Sequence, residues 1–132
     1  MSDYIIIELE VSDSNIIKET LKELGYPFEE HKVAQNLMGY RGDKRSQVSN
    51  IIVRRRNVGA ASNDVGFLKK ANGKYDLILS EYDRGMPQGK TFMYKFKQTY
   101  IKKQSQKMLK KKGYKLKKQK VEEDGTIELR FS

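Results

Sequence analysis

Apolar side chains recur along this chain with two different periods, and the switches between them constrain the fold more than any other feature. From Tyr4 to Val11 the pattern alternates, with Ile5, Ile7, Leu9 and Val11 on one side and Tyr4, Ile6, Glu8 and Glu10 on the other, as in a β-strand. The period then changes. Ile16, Ile17, Leu21 and Leu24 share one helical face, Ser12 or Asp13 can accept hydrogen bonds from the first free N–H groups, and Gly25 suits the left-handed position after the last turn. Phe28 to Met38 fits neither period; a short strand entering a loop is one reading. Ser49 to Asn57 reads as a strand in which Ile51, Ile52 and Val53 run into Arg54, Arg55 and Arg56. Consecutive side chains alternate in a strand, so Arg55 would oppose its neighbours and one face would meet solvent or a ligand.

Val65 to Lys70 and Tyr75 to Leu79 flank Asn72-Gly73, a pair that tolerates the positive φ angles of a type I′ hairpin turn. Glu81 to Lys90, with Gly85, Pro87 and Gly89, is expected as a loop. A long helix should begin near Thr91, carry Phe92, Phe96, Tyr100, Ile101, Met108 and Leu109, and stop at Gly113. Lys115 to Val121 and Thr126 to Phe131 then read as a closing hairpin around Asp124-Gly125. The order β-α-β-β-β-α-β-β implies an α+β fold, two helices on one face of a mainly antiparallel sheet, with a ferredoxin-like arrangement as the expected variant. At 132 residues, one core and one domain, 1–132, are expected. Leu21-Lys22-Glu23-Leu24-Gly25-Tyr26 and Leu109-Lys110-Lys111-Lys112-Gly113-Tyr114 echo each other, either as a repeat or through convergence of helix ends.

Charge is distributed unevenly. Residues 1–31 hold two lysines against eight acids, 2 − 8 = −6, whereas residues 91–120 hold 12 lysines and no acid. A basic surface of that density attracts nucleic acid, anionic lipid or an acidic protein, although the coding bias of an AT-rich genome also raises lysine. Peripheral membrane binding lacks the exposed bulky apolar helix face it needs, because Phe92, Phe96 and Tyr100 are wanted in the core. No stretch approaches the roughly 18 apolar residues of a membrane span, so no integral membrane association is expected. No secretion signal is expected from the N-terminal residues, and the chain has no cysteine, which excludes disulfides and thiolate chemistry and makes a cytoplasmic address the expectation.

Catalytic chemistry finds little support. His31 is the only histidine, and Glu29-Glu30 and Glu122-Glu123-Asp124 lack metal-loop spacing, so neither a metal nor a cofactor is expected. Gly85 to Thr91 ends in Gly-Lys-Thr but has the wrong spacing for a phosphate-binding loop, and Pro87 removes an N–H. An enzyme would have to work through carboxylates such as Asp64, Asp76, Glu81 and Asp83. The expectation is therefore a noncatalytic protein that binds RNA or DNA. In Gly39-Tyr40-Arg41-Gly42 the glycines admit close approach, Tyr40 can stack on a base, and Arg41, Lys44 and Arg45 can reach phosphates; a tight solvated turn is the alternative. Arg54 and Arg56 are added from the basic strand, and Lys103, Lys107, Lys110, Lys111, Lys112, Lys115 and Lys117 from the C-terminal third. Lysine suits phosphate backbones and reads bases poorly, so such binding would be sequence-independent and salt-sensitive.

Leu21 to Tyr26, Gly39-Tyr40-Arg41-Gly42, Val53 to Arg55, Asp64-Val65-Gly66-Phe67, Tyr75-Asp76-Leu77, Gly113-Tyr114 and Glu123-Asp124-Gly125-Thr126-Ile127, in that order and spacing, resemble a functionally uncharacterised family. It is the hypothetical chloroplast reading frame thirty-five family of algal plastids and cyanobacteria, with bacterial relatives. The likeness spans nearly the whole chain, although the second helix is purely basic here and usually mixed in the family. The resemblance implies no catalytic residues, the plastid stroma as location in an alga, and an accessory role beside an AAA-type ATPase. An adaptor that docks on such an ATPase or another protein, with its acidic and basic blocks as opposite patches, is thus the second functional expectation. The sequence assigns no oligomeric state.

Overall fold

The first helix is bounded by two motifs within fourteen residues, Asp13 to Tyr26. In the computed structural model, which describes residues 3–9, 12–59, 62–113, 116–121 and 127–131, the last two ranges as backbone only, α1 spans Ser14–Leu24. Asp13, extended at φ −96°, accepts from the Asn15 N–H at 2.8 Å. At the other end Gly25 N–H donates to Lys22 O and Tyr26 N–H to Leu21 O, the paired bonds of a Schellman turn.

A five-stranded sheet runs in the order β1-β5-β4-β3-β2, every neighbouring pair antiparallel. Its strands are β1 Tyr4–Glu8, β2 Glu29–Met38, β3 Lys44–Val53, β4 Val65–Lys69 and β5 Tyr75–Ser80. The ambiguous segment is thus a ten-residue edge strand. Its alternation is blurred because the register against β3 shifts between Glu30 and Gln35 and again between Asn36 and Met38. The fold is α+β as expected, with one strand more than the sequence order gave. In a ferredoxin-like sheet one strand separates the two joined by the first helix; here β5, β4 and β3 all lie between β1 and β2.

Two segments differ from expectation. The strand expected over Ser49 to Asn57 is β3, which begins at Lys44 and ends at Val53, and Arg55–Val58 forms a single helical turn, α2, because the Asp64 carboxylate accepts from Arg55 N–H at 2.7 Å and turns the chain out of the sheet. The expected loop over Glu81 to Lys90 is helical. Ser80 Oγ accepts from Asp83 N–H at 2.9 Å to start α3, Glu81–Gly85, and Pro87 occupies the first turn of α4, Pro87–Lys110, where its missing N–H is harmless. The corner between them requires Gly89: an added Cβ would lie 1.7 Å from the Asp83 carbonyl oxygen. The pair β6 Leu116–Val121 and β7 Ile127–Phe131 is antiparallel and separate from the main sheet, and β7 contacts α4. The turn expected at Asp124-Gly125 lies outside the described residues.

Both faces of the sheet are buried, unequally. Ile51, Val53, Val65, Phe67, Leu77 and Leu79 meet Ile16, Ile17, Leu21, Phe92 and Phe96 of α1 and α4. Ile52 and Ile78, one residue out of phase, join Tyr4 and Leu37 on the other face. Phe96 stands 5.0 Å from Phe67 and 5.2 Å from Tyr100, centroid to centroid. Phe67 and Phe96, both fully buried, each contribute about 2–3 kcal/mol of transfer free energy. Met108, expected in this stripe, is 55% exposed, because the apolar face has ended by then and Lys107 beside it reaches α1.

Candidate functional site

The connection from β2 to β3 is a five-residue device. Gly39 N–H donates to Asp43 O at 2.8 Å, Gly42 N–H donates to Gly39 O at 2.9 Å, and Gly42 sits at φ +78°. That is a tight turn closed by a left-handed glycine. The β4–β5 connection repeats it: Lys70 N–H donates to Lys74 O, Gly73 N–H to Lys70 O, and Gly73 has φ +84°. A type I′ turn would need positive φ at Asn72 as well, whereas Asn72 uses its side chain to accept from Lys74 N–H. At the first loop, Tyr40 N–H donates to Asn63 Oδ1 at 2.8 Å, fixing the tip to the loop that precedes β4.

Asn63 and Asp64 anchor this end of the sheet. Asn63 N–H donates to Asp83 Oδ2 at 2.8 Å, and its amide donates to Ser80 Oγ at 3.1 Å. The Asp64 carboxylate, 1% exposed, accepts from Met38 N–H, Arg55 N–H and Arg54 Nη1 at 2.8, 2.7 and 2.7 Å. Its carbonyl accepts from Tyr4 OH at 2.9 Å, and burial, with the Asp64 charge, pushes that phenol well above the usual tyrosine range. Asp64 therefore ties β1, β2 and α2 together.

Arg54 and Arg45, both expected to face a ligand, point inward. Arg54 donates Nε and Nη2 to Glu29, both at 2.8 Å, and Nη1 to Asp64. Hydrogen bonds from Arg54 pull the Glu29 carboxyl down to about 2 even against partial desolvation, and the same bonds raise Arg54 above its ordinary value. His31 Nε2, 2.9 Å from Glu29, completes the row. Arg45, 10% exposed, lies over the Tyr4 ring at 5.1 Å. Both cations hold the chain together.

Tyr40, Arg41, Lys44 and Arg56 remain outside. Tyr40 is 50% exposed, and the other three side chains are exposed with no carboxylate partner among the described residues. The sequence separates 40–44 from 54–56, yet the Arg55 guanidinium lies over the Tyr40 ring, 5.7 Å from its centroid, so the two segments share one end of the sheet.

The expected lysines of the second helix divide differently. Lys103 pairs with Glu23 at 3.3 Å and Lys107 with Asp13 at 2.6 Å, so α1 partly neutralises them; that hydrogen bond raises Lys107 and lowers Asp13 from their ordinary values. Lys110, at the end of α4, and Lys111 and Lys112 just beyond it are exposed. Lys115 lies outside the described residues, as does the side chain of Lys117 on β6. Because Gln88 packs against Gly59 beside α2, the tip cations sit near the start of α4 and Lys110 near its end. At 1.5 Å per residue those points are about 33 Å apart. Of the cations singled out from the sequence, those that are exposed thus fall into two groups, with the exposed Arg84, Lys90 and Lys95 lying on α3 and α4 between them.

The carboxylates considered for catalysis do not converge. Asp64 and Asp83 are linked through the Asn63 backbone and side chain, Asp76 pairs with Lys70 at 3.1 Å near the opposite end of β5, and Glu81 is exposed. Among the described residues no group of three or more His, Asp or Glu is placed to hold a metal ion, and no helix is long and apolar enough to cross a membrane. Sequence reasoning named Arg55 only as opposing Arg54 and Arg56 in an extended strand, and it missed Asn63. Their roles depend on contacts between segments, and the Val53 to Arg55 and Asp64-Val65-Gly66-Phe67 motifs were the sequence signals nearest to them. A family model described as protein of unknown function (DUF1257) matches residues 20–130, most of the chain. No curated protein and no solved structure matches.

Proposed function

We propose that this chain, which belongs to the family of proteins of unknown function (DUF1257), is a noncatalytic module that binds a polyanion, RNA or DNA, at the end of the sheet carrying Tyr40, Arg41, Lys44 and Arg56. The observation that supports the reading is the contact of Arg55 with the exposed Tyr40 ring, which brings Arg41 and Lys44 to the same end of the sheet as Arg56, three cations with no carboxylate partner among the described residues. Cations without carboxylate partners exchange bound water and counterions for phosphate at little electrostatic loss, whereas Lys103 and Lys107 would first have to leave Glu23 and Asp13. The likeness to the plastid reading frame thirty-five proteins belongs to the same proposal, since Gly39 to Gly42 builds the tip and Asp64 to Phe67 its anchor.

Fluorescence anisotropy with a labelled RNA oligonucleotide, titrated with salt, tests the reading. Three phosphate contacts predict a log–log salt slope of about −2, and the double variant R41E/K44E should bind at least about tenfold more weakly. Absence of binding at low salt, or affinity indifferent to salt and to R41E/K44E, overturns it. The competing role as an adaptor, on an AAA-type ATPase or an acidic protein, would instead give a stoichiometric, nuclease-insensitive partner in a native pull-down.

A further inference from the structure

Resting on that reading, we infer that the ligand is single-stranded and that one of its bases is seated on the Tyr40 ring. Charge alone does not ask for an aromatic at the centre of the cluster, and half of this one lies in water. The backbone beneath it is fixed on both sides: Tyr40 N–H is held by Asn63 Oδ1, the loop is closed by Gly39 N–H to Asp43 O, and Gly42 takes the left-handed conformation that reverses the chain. Arg55 covers the ring from one side, with its own N–H held by the Asp64 carboxylate. The ring is therefore positioned before any ligand arrives, which lowers the ordering entropy of stacking. Arg41 follows it directly and Lys44 begins the next strand, so cations stand where the phosphates flanking a stacked base would run.

Stacking requires a base free of its neighbours. In a duplex every base is already stacked and paired, whereas a single strand offers its π-faces, and each base stacked on an aromatic side chain adds about fivefold to a hundredfold in affinity. The two kinds of recognition predict opposite preferences. A surface reading charge alone favours the duplex, which carries the denser line of phosphates; a surface that seats a base favours the single strand.

The test uses the full chain and two fluorescein-labelled probes, a 12-nucleotide oligouridylate and a 12-base-pair RNA duplex, with anisotropy read over a salt series. The single strand should bind more tightly. Tyr40→Ala should weaken it about tenfold without changing the salt slope, and Tyr40→Phe should restore it, because the ring stacks and the hydroxyl does not. The exposed ring and the backbone nature of the Asn63 bond make Tyr40→Ala tolerable to the fold, which thermal melting by circular dichroism verifies. Equal or tighter duplex binding, or single-strand affinity unmoved by Tyr40→Ala, overturns the seated base and leaves the polyanion proposal standing. Failure of both probes to bind at low salt overturns both.

Discussion

Arg54 donates through Nη1 to Asp64 at 2.7 Å, and the same guanidinium holds Glu29 by two further bonds. One cation thereby joins the edge strand β2 to the loop that anchors the tip. Asp64 is almost fully buried, so removing Arg54 leaves a carboxylate without its counter-charge. Arg54→Met should destabilise the protein by about 3 kcal/mol, the lower end for a broken buried pair because Arg54 itself is partly exposed. Urea denaturation followed by circular dichroism measures it. A change below 0.5 kcal/mol, the level of an ordinary surface substitution, would contradict the anchoring role.

The same contact predicts an acid dependence. Folding lowers the Glu29 carboxyl from its ordinary 4.5 to about 2. A depressed acid contributes stability above its unfolded value and loses it as pH falls through the interval between the two. Asp13, lowered by its bond to Lys107, acts in the same direction. Thermal melting should therefore show the midpoint falling between about pH 4.5 and pH 2, less steeply in Glu29→Gln than in the wild type. Parallel curves for the two proteins would remove Glu29 as a source of the effect.

At the tip, Gly42 occupies φ +78° with no atom within 4 Å of an added Cβ, so conformation alone opposes a side chain there. Gly42→Ala should cost about 1 kcal/mol. It should also weaken RNA binding, since Tyr40 and Arg41 lose the turn that sets their spacing. Urea titration and anisotropy on the same preparation read both effects; an unchanged stability would show that the turn relaxes freely.

Elements whose signals are local were legible in the sequence. The first helix carries its own cap, stripe and terminating glycine within thirteen residues, and the Gly39–Gly42 and Asn72-Gly73 turns are set by glycines that need no distant partner. Arg54 to Arg56 misled because a run of β-branched residues before them favours extension, while the group that ends the strand, Asp64, comes from another segment. Pro87 and Gly89 misled for a related reason: both are helix breakers in isolation, yet one sits where its missing N–H is free of consequence and the other where two backbones touch. Exposure of the lysines was hardest to foresee. Lys103 and Lys107 belong by composition with Lys110 to Lys112, and only the antiparallel packing of α1 on α4 brings Glu23 and Asp13 to them.

The long helix also acts as a ruler. On the proposed reading, an extended single strand, whose phosphates lie farther apart than the about 3.4 Å per nucleotide of a duplex strand, would need fewer than about ten nucleotides to reach from the tip cations to Lys110. An oligonucleotide too short to span that distance would engage one cationic group at a time, and a longer one would gain from occupying both at once, so on this reading chain length itself would become a basis for selection.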